Sequence, residues 1–390
     1  MTFGVYVHVP WCRARCPYCH FDILPQAGRP DADPFVARVV AEAKARLALA
    51  PGPPATIFFG GGTPSRIDGT AFATMIEALA PASDAEITAE ANPEDIDDAW
   101  LAEVIDAGIN RISLGVQSFI PEVARRLGRG HTSPQAEAAI QRIAQAGLRT
   151  WSIDLIFAVP GQSAQMFRDD LRRVTTLGVP HVSLYGLTIE PETSFARAVA
   201  RGRLMPVDDE TWRQMFDDAA EWLGGAGYER YEVSTFAKPG HRCAHNQLYW
   251  TNRPYVGLGP GAHGSGFEGE RWKNPAHLTT WLSTPWPVGE HPTAQEAAMD
   301  QLIGGLRFVE GVSLGHLRQR TGLEPDPTVV RGLLAGGVVA VAGDRLTLTP
   351  VGVPLADGVV QRLVDALIPI NENDGPAARI LRTPTDRSDA

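Results

Sequence analysis

Three of the four cysteines fall within eight residues: Cys12, Cys16 and Cys19, with Cys243 far downstream. A disulfide framework spreads an even set of cysteines along a secreted chain. Three crowded thiols read instead as metal or cluster ligands in a reducing cytoplasm. Residues 1–10 hold neither a basic nor an apolar leader segment, so no cleaved secretory signal is expected. Three thiolates can hold three irons of a cubane cluster and leave the fourth iron open to a ligand. The alternative is a zinc site completed by His20 or Cys243.

Other groups that could do chemistry recur where predicted strands end. The run Gly60-Gly61-Gly62-Thr63-Pro64-Ser65 lets backbone approach a ligand closely and offers free N–H groups, or else makes a plain tight turn. Glu90 follows a third apolar run and can accept from hydroxyls or an ammonium. Gln117 follows a fourth, and Arg129 lies in Leu127-Gly128-Arg129. Asp154 sits inside the apolar run Ile153-Asp154-Leu155-Ile156-Phe157. It must be paired or hydrogen-bonded there, with an arginine partner as the structural alternative. Downstream, His241, His245 and His263 occur among aromatics. Each could ligate a metal or simply tie a loop.

The elements that must position these groups alternate. Strands are predicted over 3–9, 56–59, 85–89, 111–115, 150–157 and 181–185. Helices fall between them over 32–50, 70–79, 97–107, 133–146 and 164–177. Such alternation predicts parallel βα units, with functional loops at the carboxyl ends of the strands. Six strands are too few for a closed eight-stranded barrel. The fold class is therefore α/β, an open, partial parallel β/α barrel. After residue 204 the rhythm changes to a helix over 208–223, a strand over 228–236 and a Gly/Pro/His-rich stretch over 238–266. A smaller C-terminal α+β, winged-helix-like unit follows. It has helices over 297–306, 314–319, 328–335 and 354–366 and strands over 338–342 and 345–349, with a type I′ turn at Gly343-Asp344.

Composition narrows the class. Across 390 residues the formal net charge is −10 and 44% of residues are apolar. This suits a globular protein with a sizeable core and argues against a surface that tracks phosphates. No apolar run reaches the roughly 18–20 residues of a membrane span.

Tyr6-Val7-His8-Val9-Pro10-Trp11, followed by Cys12-x3-Cys16-Pro17-Tyr18-Cys19, resembles the radical S-adenosylmethionine (SAM) superfamily. Within it, the chain is similar to the branch of oxygen-independent coproporphyrinogen III oxidase and the HemW-type haem chaperones. The likeness runs from Val5 to about Val364. It implies a 4Fe-4S cluster on Cys12, Cys16 and Cys19. It also implies SAM contacts at Tyr6, Gly62, Thr63, Glu90, Gln117, Arg129 and Asp154. Thr188 and the pair Ala262-His263 fall at further contact positions, with residue types unlike the family's. In the superfamily, an electron from the cluster cleaves SAM to methionine and a 5′-deoxyadenosyl radical. The implied organisation is a radical SAM partial barrel over 1–204 and an extension with haem-proximal loops over 205–294. A HemN-like accessory domain covers 295–368 and a disordered tail 369–390.

Two departures count against the oxidase. Phe21 stands where the oxidase has a fourth cysteine, and little chain precedes Val5. In favour of a chaperone, His245-Asn246-Gln247-Leu248-Tyr249-Trp250 matches the signature His-Asn-x-x-Tyr-Trp, whose histidine is a haem-ligand candidate. Tyr249 and Trp250 could pack a porphyrin face, and Cys243 reads as inert or as a thiolate ligand to haem. The expected work is to bind haem as cargo and deliver it to an acceptor protein, in the cytoplasm or at the membrane through a partner, as a monomer or cluster-dependent dimer. The alternatives are oxidative decarboxylation of coproporphyrinogen III and a non-catalytic partner- or nucleic-acid-binding role for the C-terminal unit. Nucleic-acid binding is not expected, because Arg318, Arg320 and Arg331 are opposed by Glu324 and Asp326.

Overall fold

The computed structural model describes residues 2–370; the part of the expected tail beyond 370 lies outside the described residues. The chain forms two compact units. The larger holds the chain up to Arg230, with Ser234–His245 and Pro254–Gly289. The smaller holds Tyr231–Val233, Asn246–Arg253 and the described residues from Glu290.

In the larger unit six parallel strands lie side by side in sequence order. They are β1 (Gly4–Val9), β2 (Thr56–Gly61), β3 (Glu86–Ala91), β4 (Arg111–Gln117), β5 (Thr150–Phe157) and β6 (His181–Gly186). The sheet does not close. Tyr255–Leu258 adds a parallel strand beside β1, and Thr235–Ala237 adds an antiparallel one beside β6. This is the expected open parallel barrel.

Successive side chains on a strand point to opposite faces, and here the two faces differ in chemistry. Val5, Val7, Ile57, Phe59, Ile112, Leu114, Ile153 and Leu155 are buried on the apolar face. Helices pack there: Phe59 meets Phe72 of Gly69–Leu79 edge-on, with ring centroids 5.0 Å apart. Each such side chain contributes roughly 1.5–3 kcal/mol. The other face carries Tyr6, Glu86, Glu90, Arg111, Ser113, Ser152, Asp154, His181 and Ser183. The register pairs Arg111 with Thr150, Ser113 with Ser152, and Asp154 with Ser183. The barrel interior is therefore polar, and Asp154 belongs to it rather than to the apolar core.

Helix starts follow from local chemistry. Asp68, Asp97 and Ser163 each accept a backbone N–H of the first turn, and Thr132 with Gln135 forms a capping box. The sequence reading missed three elements in the Gly/Pro/His-rich stretch, a helix at Ala244–Trp250 and the strands Tyr255–Leu258 and His263–Ser265. All are too short to show a period. The strand predicted over 228–236 breaks at Val233-Ser234 into Glu229–Glu232 and Thr235–Ala237.

The smaller unit has its own core, including Leu302, Leu306, Leu317, Val330, Leu333 and Leu363. Helices Ala294–Arg307, Leu314–Thr321, Pro327–Ala335 and Ala356–Asp365 surround a three-stranded antiparallel sheet. This is the expected α+β arrangement. Its hairpin turn differs: φ is positive at Gly343 and not at Asp344, the type II′ rather than the I′ pattern.

Candidate functional site

The carboxyl ends of the six strands surround a cavity of about 470 Å³. Cys12, Cys16 and Cys19 line it from the loop after β1, and so do Gly62, Thr63, Glu90, Gln117, Arg129 and Asp154. The fold thus gathers nearly all of the site residues expected from the sequence. Tyr6 stands on the same inner face, its ring 6.3 Å from Phe58. Thr188 also lines the cavity.

The cysteine loop is docked through backbone. The N–H groups of Gly62 and Thr63 donate to the carbonyls of Val9 (2.8 Å) and Trp11 (2.7 Å). A Cβ at Gly62 would come within 2.7 Å of the Trp11 carbonyl oxygen. The glycine run was expected to offer free N–H groups. Those of Gly61, Gly62 and Thr63 instead have protein partners, and the glycines are needed so that the cysteine loop can approach. Thr63 Oγ1 donates to Cys12 Sγ at 3.4 Å.

His8, which the sequence reading left without a role, braces the loop from below. Its Nε2–H donates to the Asp22 carbonyl at 2.8 Å, so Nδ1 accepts from the Tyr6 hydroxyl at 3.1 Å. Burial lowers its pKa, in keeping with that neutral form. A Cβ at Gly61 would fall 2.5 Å from the His8 ring.

The far wall holds the charges. Arg129 donates to the Gly115 carbonyl at 2.8 Å and to Asn92 Oδ1. Gln117 closes β4 at a bulge, with φ +67°. That backbone costs a non-glycine residue roughly 1–2 kcal/mol. Asp170, from the helix Ala164–Thr176, clamps the next two residues. It accepts from Ser118 Oγ at 2.8 Å and from the Phe119 N–H at 2.6 Å. Burial pushes Asp170 up to about 7. Burial, then the charge of Asp154, pushes Glu90 up to about 8, although the Gly61 N–H opposes the shift. Asp154 is raised by burial, against hydrogen bonds from Ser113 and Ser183 and the charge of Arg111.

These residues suit an iron–sulfur cluster and a cationic small molecule. Among the described residues, Gln117 Oε1 is buried in the cavity wall with no hydrogen-bond partner. Two raised carboxylates facing one space favour a positively charged occupant. Burial pushes the Cys12 thiol up to about 11, and bound iron would supply the positive charge that favours the thiolate. Among the described residues, no three His, Cys, Asp or Glu side chains are placed to hold a single metal ion. Cys243 cannot complete such a site. Its thiol donates to Glu86 Oε1 at 3.4 Å, and Glu86 opens β3 at the opposite end, roughly 13 Å along the strand from Glu90.

The three downstream histidines do not come together. His241 and His245 sit at the amino ends of strands, bonded to Thr150 Oγ1 (2.9 Å) and Thr56 Oγ1 (2.7 Å). His263 lies on the added strand His263–Ser265. His245 is fully buried. Its ring stacks on Phe58, Glu86 accepts its backbone N–H, and burial, then Arg111, lowers its pKa to about 3. The expectation of a haem-ligating His245 therefore meets a closed environment, with no face of the ring open to a porphyrin. Tyr249 and Trp250 are half-buried in the smaller unit, where the Arg307 guanidinium covers Trp250 at 5.1 Å.

An open parallel barrel with three thiols at its mouth defines a radical SAM fold, and the comparisons agree. The Radical SAM superfamily model matches residues 6–174. Heme chaperone HemW of Mycobacterium tuberculosis (strain H37Rv) is 36% identical over 93% of this chain and 95% of its own length. Heme chaperone HemW of Escherichia coli is 42% identical over 67% of this chain and 69% of its own. The solved structure of coproporphyrinogen III oxidase (HemN) from Escherichia coli superposes with a TM-score of 0.79. It covers 93% of this chain and 90% of that one, at 21% identity, a likeness of fold alone. The chain belongs to the HemW family of the radical SAM superfamily.

Proposed function

We propose that this protein is a haem chaperone that binds haem and passes it to an acceptor protein, carrying a 4Fe-4S cluster and SAM. The observation that carries this reading is likeness to a HemW along nearly the whole of both chains. Phe21 at the oxidase's fourth-cysteine position supports it against coproporphyrinogen oxidation. In this reading Cys12, Cys16 and Cys19 hold the cluster. Tyr6, Gly62, Thr63, Glu90, Gln117, Arg129 and Asp154 form the SAM cradle. When bound together, cluster and SAM supply one-electron reductive chemistry. The chain's part is to hold and orient them. Glu90 and Asp154 favour the cationic ligand, Arg129 is fixed by Gly115 and Asn92, and Gln117 presents an amide in need of a partner.

Among the described residues no helix is long and apolar enough to cross a membrane. The reading carries a cytoplasmic setting, with haem and a haem-accepting protein as partners. The residue blocks 1–204, 205–294 and 295–368 stand as its proposed barrel, extension and accessory domain.

The test is anaerobic reconstitution followed by two assays on one preparation. Haem titration should show stoichiometric uptake. Incubation with SAM, reductant and coproporphyrinogen III should give no protoporphyrinogen. Product lost in Cys16→Ser would instead establish the oxidase. Cys16→Ser should lose cluster iron and the absorption near roughly 400 nm typical of such clusters.

A further inference from the structure

The loop from Cys19 to Leu24 carries exposed side chains that neither cluster nor SAM uses. His20 lines the cavity mouth, and its ring lies 4.9 Å from that of Phe21. Phe21 is 56% exposed, and Tyr185 across the same mouth is 47% exposed. Ile23 and Leu187 complete an apolar rim. Large apolar groups gathered in water around one opening mark a binding surface.

The loop is braced. Arg15 donates to the carbonyls of Phe21 (3.0 Å) and Ile23 (3.1 Å), His8 holds the Asp22 carbonyl, and the Leu24 N–H donates to Pro10 at 2.7 Å. His20 and Phe21 are therefore presented on a fixed turn. Arg13 lines the same cavity with its side chain 56% exposed and, among the described residues, pairs with Asp95 at 3.1 Å. Such a pair contributes at most about 1 kcal/mol, so an incoming carboxylate can compete for it. The run Cys16-Pro17-Tyr18-Cys19-His20 also has the Cys-x-x-Cys-His spacing of c-type haem sites. Here the thiols are committed to the cluster, so no covalent link is invoked.

We infer that haem docks on this rim, with His20 as its axial ligand, Phe21 and Tyr185 against the porphyrin and Arg13 facing a propionate. The inference rests on the haem-chaperone reading. It resolves the difficulty that His245 is closed to solvent while His20 is open. An imidazole is a common axial ligand, and an apolar rim beside an exposed guanidinium matches haem's apolar ring and its charged propionates.

The experiment is anaerobic titration of ferrous haem into the cluster-loaded protein, read by the Soret band. The variants are His20→Ala, His20→Met and His245→Ala, each first checked for cluster iron and for native circular dichroism. His20→Ala should weaken binding about tenfold or more and move the Soret band. His20→Met should restore affinity with a different spectrum. His245→Ala, where folded, should bind like the wild type. Unchanged binding in His20→Ala, or lost binding in a folded His245→Ala, would overturn the inference. No uptake by the wild type would instead defeat the chaperone reading on which it rests.

Discussion

The Glu90 carboxylate accepts the Gly61 N–H at 3.1 Å, joining the end of the third barrel strand to the glycine run that docks the cysteine loop. The bond links the two halves of the site. Glu90 keeps its proton unusually tightly, with a pKa near 8, because it is buried beside Asp154. The folded state therefore binds this proton more tightly than the unfolded state does. The stability gained from the neutral acid is present at low pH and is lost as pH rises from about 4.5 to about 8. Glu90→Gln should melt like the wild type near pH 4.5 and a few degrees higher at pH 9. At pH 9, where Glu90 is ionised, the variant's SAM affinity should fall about tenfold, since a carboxylate facing the cation is gone. Equal melting at pH 9 with equal affinity would remove Glu90 from the site.

Asp170 acts at one remove. Its clamp on Ser118 and Phe119 holds Gln117 in a left-handed backbone. In Asp170→Ala both acceptors are gone, so the Phe119 and Ser118 bonds are lost. SAM affinity by calorimetry should drop about fivefold while cluster iron stays constant. A fall in iron with unchanged SAM affinity would show that the clamp serves only the fold.

Gly62→Ala sets a methyl against the Trp11 carbonyl, 2.7 Å away. Backbone cannot yield cheaply there, and overpacking typically costs about 1–3 kcal/mol. The cysteine loop should undock, giving a folded barrel that retains little iron after reconstitution. Full iron incorporation would mean that the loop tolerates the shift.

The C-terminal unit should not bind nucleic acid. Arg318 is committed to Glu324, and Arg331 donates to Thr328 at 3.2 Å. A gel shift with duplex DNA should show no band that weakens with salt. A salt-dependent complex would reopen that role.

Much of this was legible in the residues. The cysteine spacing and the six strand–helix repeats located the cavity, because both signals are local and periodic. The polar interior was harder to see. Glu86, Arg111, Ser113, His181 and Ser183 alternate with apolar residues within each strand, and the alternation was available in the sequence. Read as apolar runs, the strands show Asp154 as the one charge in mid-strand. Asp22, Asn92 and Asp170 act across the fold, and nothing in their own surroundings marks them, while His8 lies inside a telling motif that does not say what its ring holds. His245 shows the opposite case: its motif was plain, but burial against Thr56 and Phe58 depends on strands nearly 190 positions away.

The central claim is haem delivery, and handover tests it most directly. Cluster-loaded protein carrying one equivalent of haem is mixed anaerobically with an excess of an apo-haemoprotein, and the Soret band is followed in time. The account predicts transfer to the acceptor, faster than from free haem captured by albumin and dependent on an intact cluster loop. Retention of haem with no transfer, alongside conversion of coproporphyrinogen III to protoporphyrinogen by the same preparation, would contradict it.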